Sequence, residues 1–201
     1  MIEESVVQGT EEWRKCRSGI PTASAFDMII KMDGKQSTQR QKYMYSLAAE
    51  RVSGLNEEKY QNGAMQRGID MEAEARSMYE LISGNEVKEA GVCFYDDKKL
   101  FACSPDGLIG KEGALEIKCP SAAVHVGYLL AGVLPSDYFQ QVQGQLLVTG
   151  RKWVDFFSFY PGLKPLLIRV KPDEKFLKAL RIELEIFVKE LDEITEKIRS
   201  K

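Results

Sequence analysis

Residues 102–120, ACSPDGLIGKEGALEIKCP, set three charged side chains inside an otherwise apolar strand pair. Asp106 and Glu116 stand ten positions apart, Lys118 follows two later, and Leu108, Ile109, Leu115 and Ile117 fill the space between. In a strand, residues two apart share a face, so Glu116 and Lys118 point together while Ile117 enters the opposite layer. The segment Gly-Lys-Glu-Gly at 110–113 is the natural turn of a hairpin. A register that sets Asp106 opposite Lys118 and Leu108 opposite Glu116 crowds all three charges onto one face. A register one residue tighter sets Asp106 opposite Ile117 and disperses them. Two close carboxylates repel, and neither is buried without compensation. A divalent cation supplies it: hard oxygen donors with open water positions suit Mg²⁺, with Mn²⁺ as a substitute. Such an ion binds a phosphate oxygen and acidifies its water, and Lys118 adds positive charge beside the reacting group. This pattern points to phosphodiester hydrolysis. The plain alternative is a structural cross-strand ion pair on a solvated face.

Around this hairpin the pattern is helical before and mixed after. Helical signals lie at EEWRKCRS (11–18), TASAFDMIIK (22–31), QRQKYMYSLAAERVSG (39–54) and GAMQRGIDMEAEARSMYELISG (63–84). In the last, Met71, Ala75, Met78 and Ile82 form one apolar face. KMDGKQSTQRQK (31–42) is polar, basic and turn-rich, an expected exposed loop. Strand signals run from Glu86 to Cys119, then return at WVDFFSFYP (153–161) and PLLIRVKP (165–172), after helical runs at AAVHVGYLLAG and DYFQQVQGQLLVTG. Strands flanked by helices on both sides predict an α/β (α+β) fold with a central mixed sheet. We expect residues 1–201 to form one domain, with a long C-terminal helix from about 173. In that helix Leu177, Leu180, Leu184, Phe187, Leu191, Ile194 and Ile198 form a heptad seam, expected to pack on the chain's own core rather than on a partner.

Composition excludes several classes. With 44% hydrophobic and 29% charged residues the chain is no disordered protein. No apolar run reaches the length of a membrane span, and the first residues, MIEESVVQGT, are polar and acidic, so a cytoplasmic protein is expected. The four cysteines lack metal-ligand spacing and are read as reduced core residues. His125 is the sole histidine, with no triad company, so histidine acid–base chemistry is disfavoured. A net charge of −2 gives no general attraction to nucleic acid, so DNA binding would need local basic clusters or another means of retention.

Four segments, in order, resemble one family. S-P-D-G-L…L-E-I-K-C-P (104–120) is similar to the active-site signature of the lambda exonuclease (YqaJ-type) viral recombinase branch of the PD-(D/E)XK nuclease superfamily. W-R-K-C-R-S-G-I-P-T-A-S (13–24) resembles its N-terminal segment, G-I-D-M-E-A-E-A-R (68–76) its G-x₃-E helix, and Y-F-Q-Q-V-Q (138–143) its Y-x-x-Q-V-Q motif. The resemblance implies a restriction-endonuclease-like sheet flanked by helices. It assigns Asp106 and Glu116 to the metal, with the backbone carbonyl of Ile117, and Lys118 to the attacking water. It brings Glu72, Tyr138 and Gln141 to the site, and gives Arg17, Ser24 and Ser104 to a DNA 5′-phosphate. For Glu72 the plain alternative is an i,i+4 ion pair with Arg76. Tyr138, Gln141 and Gln145 share one helical face opposite Phe139, Val142 and Leu146. Trp13 is read as core. The implied activity is Mg²⁺-dependent 5′→3′ digestion of double-stranded DNA to 5′-mononucleotides, leaving 3′ single strands. The implied partners are duplex DNA ends, two further copies in a homotrimeric ring, and a single-strand annealing protein, in a bacterial cell hosting a phage or prophage. The competing readings are an endonuclease of the same superfamily and a non-catalytic DNA-binding module.

Overall fold

The structure, a computed structural model, describes residues 1–55 and 63–201, and for residues 63–67 and 69 the backbone alone. The side chain of Ile69, within the 68–76 motif, therefore lies outside the described residues. The strands are β1 (Ile2–Glu4), β2 (Val92–Phe94), β3 (Ala102–Cys103), β4 (Gly107–Ile109), β5 (Gly113–Lys118), β6 (Trp153–Ser158) and β7 (Leu166–Val170). The α-helices are α1 (Glu11–Arg17), α2 (Arg40–Ser53), α3 (Gly63–Ser83), α4 (Ala122–Ala131), α5 (Phe139–Thr149) and α6 (Glu174–Arg199). The expected helix at 22–31 is only a 3₁₀ segment, Ala23–Met28.

The strands divide into two sheets instead of one. β4-β5-β6-β7 is mixed, with β5 and β6 parallel and its other pairs antiparallel, while β1-β2-β3 is a smaller antiparallel sheet. β1 has no apolar alternation to announce it and joins through backbone pairing with β2. Gly91 lets it approach, since a Cβ there would lie 2.0 Å from the Glu4 carbonyl oxygen.

Alternation along β5 decides which layer each residue enters. Leu115 and Ile117 pack with Ala75 and Tyr79 of α3 and Phe157 of β6. Ala114 faces the other way, packing with Val142 and Leu146 of α5 and Phe156 of β6. Glu116 and Lys118 share that α5 side by parity. The α3 stripe runs through Met71, Ala75, Met78 and Tyr79; Ile82, expected to continue it, is exposed and lies outside the cluster they form.

The hairpin register is tighter than either alternative expected from sequence: Gly107 pairs with Leu115, Leu108 with Ala114 and Ile109 with Gly113. Two local features set it. Gly110 takes a left-handed turn at φ 50°, and Gly113 lies under the Trp153 ring, where a Cβ would come within 2.1 Å of the indole. The slip relative to the Asp106–Lys118 register is two residues, so the facing of every side chain is kept.

A third cluster joins the helices: Met44, Leu47 and Ala48 of α2 pack with Phe176, Leu180, Leu184, Phe187 and Leu191 of α6. The middle of the heptad seam is thus internal, as expected, while Ile198 is exposed. Asp173 caps α6, its side chain accepting from the Phe176 N–H at 3.0 Å. No described helix is long and apolar enough to cross a membrane.

Candidate active site

The hairpin carries its three charges to one pocket beneath α5. Pro105 ends the run that enters it, and Gln8 braces that turn by donating to the carbonyls of Pro105 (2.8 Å) and Ala90 (3.0 Å). Asp106 follows, half-buried, and its Oδ2 accepts the backbone N–H of Ile117 at 2.6 Å. This bond sets Asp106 beside the backbone of the residue expected to lend its carbonyl. Glu116 is 1% exposed, and its carboxylate accepts from three donors. Oε1 accepts from Gln141 at 2.6 Å and from the Lys118 ammonium, and Oε2 accepts from Gln145. Lys118 lies 5.1 Å from the Tyr138 ring centroid, a cation–π contact, and Tyr138 in turn packs on Phe156 at 5.2 Å.

The electrostatics follow from burial and like charge. Burial, then the Glu116 carboxylate, push the Asp106 carboxyl well above the ordinary carboxylate range, against the pull of Lys118. Burial alone would lower the Lys118 ammonium, but Glu116 and Asp106 outweigh it and raise its pKa above the ordinary lysine value. Burial raises Glu72 too; Arg76 opposes, and Glu116 adds to the rise. The thiol of Cys119 is pushed up to about 11 by burial, with Glu72 and Asp106 adding to it.

Glu72 reaches this site from the far side of the sheet, on α3, and is held by Arg76 Nη2 at 2.8 Å. Arg76 also binds Glu89 at 2.5 Å. The i,i+4 pair is therefore formed, and Glu72 sits at the margin, felt electrostatically by Asp106 and Glu116. Among the described residues no three His, Cys, Asp or Glu side chains converge as a metal cage. The donor set nevertheless fits a hard divalent cation. The Glu116 carboxylate raises the proton affinity of both Asp106 and Glu72, Lys118 compensates at Asp106 and Arg76 at Glu72, and oxygen donors predominate. Asp106, Glu116 and the Ile117 carbonyl are the groups that would hold it.

A second pocket adjoins the first. Arg17, at the end of α1, lays its guanidinium 4.0 Å from the Trp13 ring centroid and donates to Thr22 Oγ1 at 3.0 Å and Ser24 Oγ at 3.4 Å. Burial pushes its pKa down, and no carboxylate pairs with it among the described ion pairs. Trp13 Nε1 donates to Ser104 Oγ at 3.1 Å, so Ser104 joins this pocket through the indole rather than through Arg17. Ser104 is two residues from Asp106, at most about 7 Å of chain.

Of the expected residues, Asp106, Glu116, Lys118, Tyr138 and Gln141 meet in the first pocket, and Arg17, Ser24 and Ser104 in the second. Sequence reasoning missed Gln145, Thr22 and the role of Trp13. Gln145 stood on the Tyr138–Gln141 face, a signal that was present but looked like ordinary amphipathicity. Trp13, four residues before Arg17, lies one helical turn away on the same face, which was the available hint. His125 is fully buried and structural: Nδ1 meets Ser158 Oγ at 2.8 Å and Nε2 the Lys164 carbonyl at 3.0 Å. Cys93 and Cys103 are buried opposite each other across β2 and β3, whereas Cys16 and Cys119 are only partly buried; all four are free.

Comparison with known proteins gives the same architecture. An alkaline exonuclease, LHK-Exo, from Laribacter hongkongensis is 33% identical, with a TM-score of 0.87 over 95% of this chain and 97% of that one. The same protein in complex with dAMP gives 0.86 at 33% identity, over 95% and 97% of the two chains. A phage-related exonuclease from Haemophilus somnus 129PT, 14% identical, shares the fold at 0.71 over 89% of this chain and 96% of that one. No curated protein matches the chain. The class is therefore an α/β protein of exonuclease fold with an acidic, lysine-bearing hairpin pocket. The model of the YqaJ-like viral recombinase domain matches residues 12–152. The chain belongs to that family.

Proposed function

We propose that this chain is a Mg²⁺-dependent 5′→3′ exonuclease acting on the ends of double-stranded DNA. The observation that carries the proposal is the adjacency of two pockets of different chemistry along Ser104-Pro105-Asp106. Arg17, Thr22, Ser24 and Ser104 offer a guanidinium and three hydroxyls without a carboxylate partner, a set that suits a terminal phosphate dianion. Asp106, Glu116 and Lys118 offer the chemistry of phosphodiester hydrolysis within about 7 Å of chain. An end held there presents a bond close to its terminus, which favours release of mononucleotides. That LHK-Exo has been captured with dAMP supports the same reading.

Asp106 and Glu116, with the Ile117 carbonyl, would hold the cation. When bound, Mg²⁺ (or Mn²⁺) supplies Lewis-acid stabilisation of a phosphoryl oxygen and a more acidic water. Lys118, held as an ammonium between carboxylates, orients the attacking water and stabilises the negative charge that develops on the phosphate. Tyr138 supports Lys118 from below, and Gln141 bridges Glu116 to the open side of the pocket. Glu72 adds negative charge at the margin of the site.

The product is a 3′-ended single strand, which suits recombination by a single-strand annealing protein. A homotrimeric ring around the duplex fits a chain of net charge −2, because enclosure retains DNA where long-range attraction does not. The test is substitution in the hairpin. Asp106→Asn, Glu116→Gln and Lys118→Ala should each cut turnover at saturating Mg²⁺ by at least about a hundredfold, with Lys118→Ala still binding duplex ends. Near-normal turnover in any of the three would remove the hairpin from catalysis.

A further inference from the structure

The Glu116 carboxylate is gripped from α5 by two amides of unequal situation. Gln141 is partly exposed and shares Oε1 with Lys118. Gln145, one turn further on, is 1% exposed and alone holds Oε2. Its own Oε1 is buried and meets no donor among the described residues. A buried amide with half its bonding capacity unmet is a poor device for stability. A methionine of similar length removes that unmet oxygen, but it leaves Glu116 Oε2 without its described donor.

We infer that Gln145 is a positioning residue for the cation site, fixing the rotation of the Glu116 carboxylate. With Oε2 held by a donor that solvent does not reach, Oε1 is the oxygen free to change partners. Gln141 can yield its hydrogen bond to incoming ligands because its side chain reaches solvent. Gln145 cannot, and so the carboxylate keeps one orientation while its other oxygen exchanges. The i,i+4 spacing on one helix lets a single rigid element supply both contacts. Outer-shell donors of this kind tune the ligands they orient, and their loss typically weakens metal affinity about ten- to a hundredfold.

The inference rests on the reading of Asp106 and Glu116 as cation ligands, and one experiment separates the two. Mn²⁺ is titrated calorimetrically, without DNA, into the full chain and into Gln145→Met and Gln145→Leu, with thermal melting of each. The expected result is a folded variant with a somewhat lower melting temperature, because Glu116 Oε2 loses its described donor, and Mn²⁺ affinity weaker by about ten- to a hundredfold. Discrimination between 5′-phosphate and 5′-hydroxyl ends should stay as in the parent, because the described hydrogen bonds of Arg17 and Ser104 do not involve Gln145. Mn²⁺ affinity within twofold of the parent in a folded variant would overturn the positioning role and leave the nuclease reading intact. Failure of both variants to fold would make Gln145 a structural residue. A parent chain that binds no Mn²⁺ would fail the underlying reading instead.

Discussion

Arg17→Ala isolates the terminal-phosphate pocket from the hydrolytic one. In the folded chain the guanidinium is half-buried, stacked on Trp13, and bonded, among the described residues, only to the neutral hydroxyls of Thr22 and Ser24. Burial works against its charge, and a phosphate dianion would relieve that penalty. A hydrogen bond to a charged group contributes about 1.5–3 kcal/mol, which is roughly a ten- to hundredfold preference for a 5′-phosphate over a 5′-hydroxyl end. The assay is kcat/KM on two linear duplexes that differ only in that group. The parent should show the preference; Arg17→Ala should erase most of it by slowing the phosphorylated substrate alone. Arg17→Lys should restore little, because a point charge does not reproduce the planar fork or its stack on the indole. Folding should survive, since no ion pair is broken. Equal slowing of both substrates would refute the reasoning and make Arg17 a general backbone contact.

Two further outcomes are expected, the first from the structure and the second from the proposed function. Tyr79 donates to buried Asp155 at 2.7 Å and so ties α3, with Glu72, to the sheet; Tyr79→Phe should lower stability by about 1 kcal/mol, a fall in melting temperature of about 2–4 °C. If a ring encloses the duplex, the chain should sediment as a trimer without DNA, and a monomer fully active at dilution would sink that model.

Much of the site was legible because strand chemistry is periodic. Asp106, Glu116 and Lys118 share a face in any even register, so the two-residue slip left their meeting intact. The register itself was only half legible: Gly110 marks the turn, but the Trp153 ring that covers Gly113 comes from far along the sequence. The second sheet was only partly visible, because β1 contributes backbone bonds and little apolar pattern. Arg17 and Ser24 came from resemblance, since taken alone an arginine at the end of a helix reads as a surface charge. Gln145 escaped because a polar side chain on an amphipathic helix looks solvated until a buried carboxylate is placed against it. Glu72 forms the expected pair with Arg76 and is also close enough to add to the charge repulsion at Asp106.

The central claim is that hydrolysis starts at a duplex end and needs a divalent cation. One measurement tests it most directly: linear and covalently closed circular duplexes of the same sequence are digested with Mg²⁺ and with a chelator in its place. Chromatography of the acid-soluble products follows the release. The account predicts 5′-mononucleotides from the linear duplex with Mg²⁺ alone, and an intact circle under both conditions. Cutting of the closed circle as readily as the linear form, or equal digestion with the chelator, would contradict it.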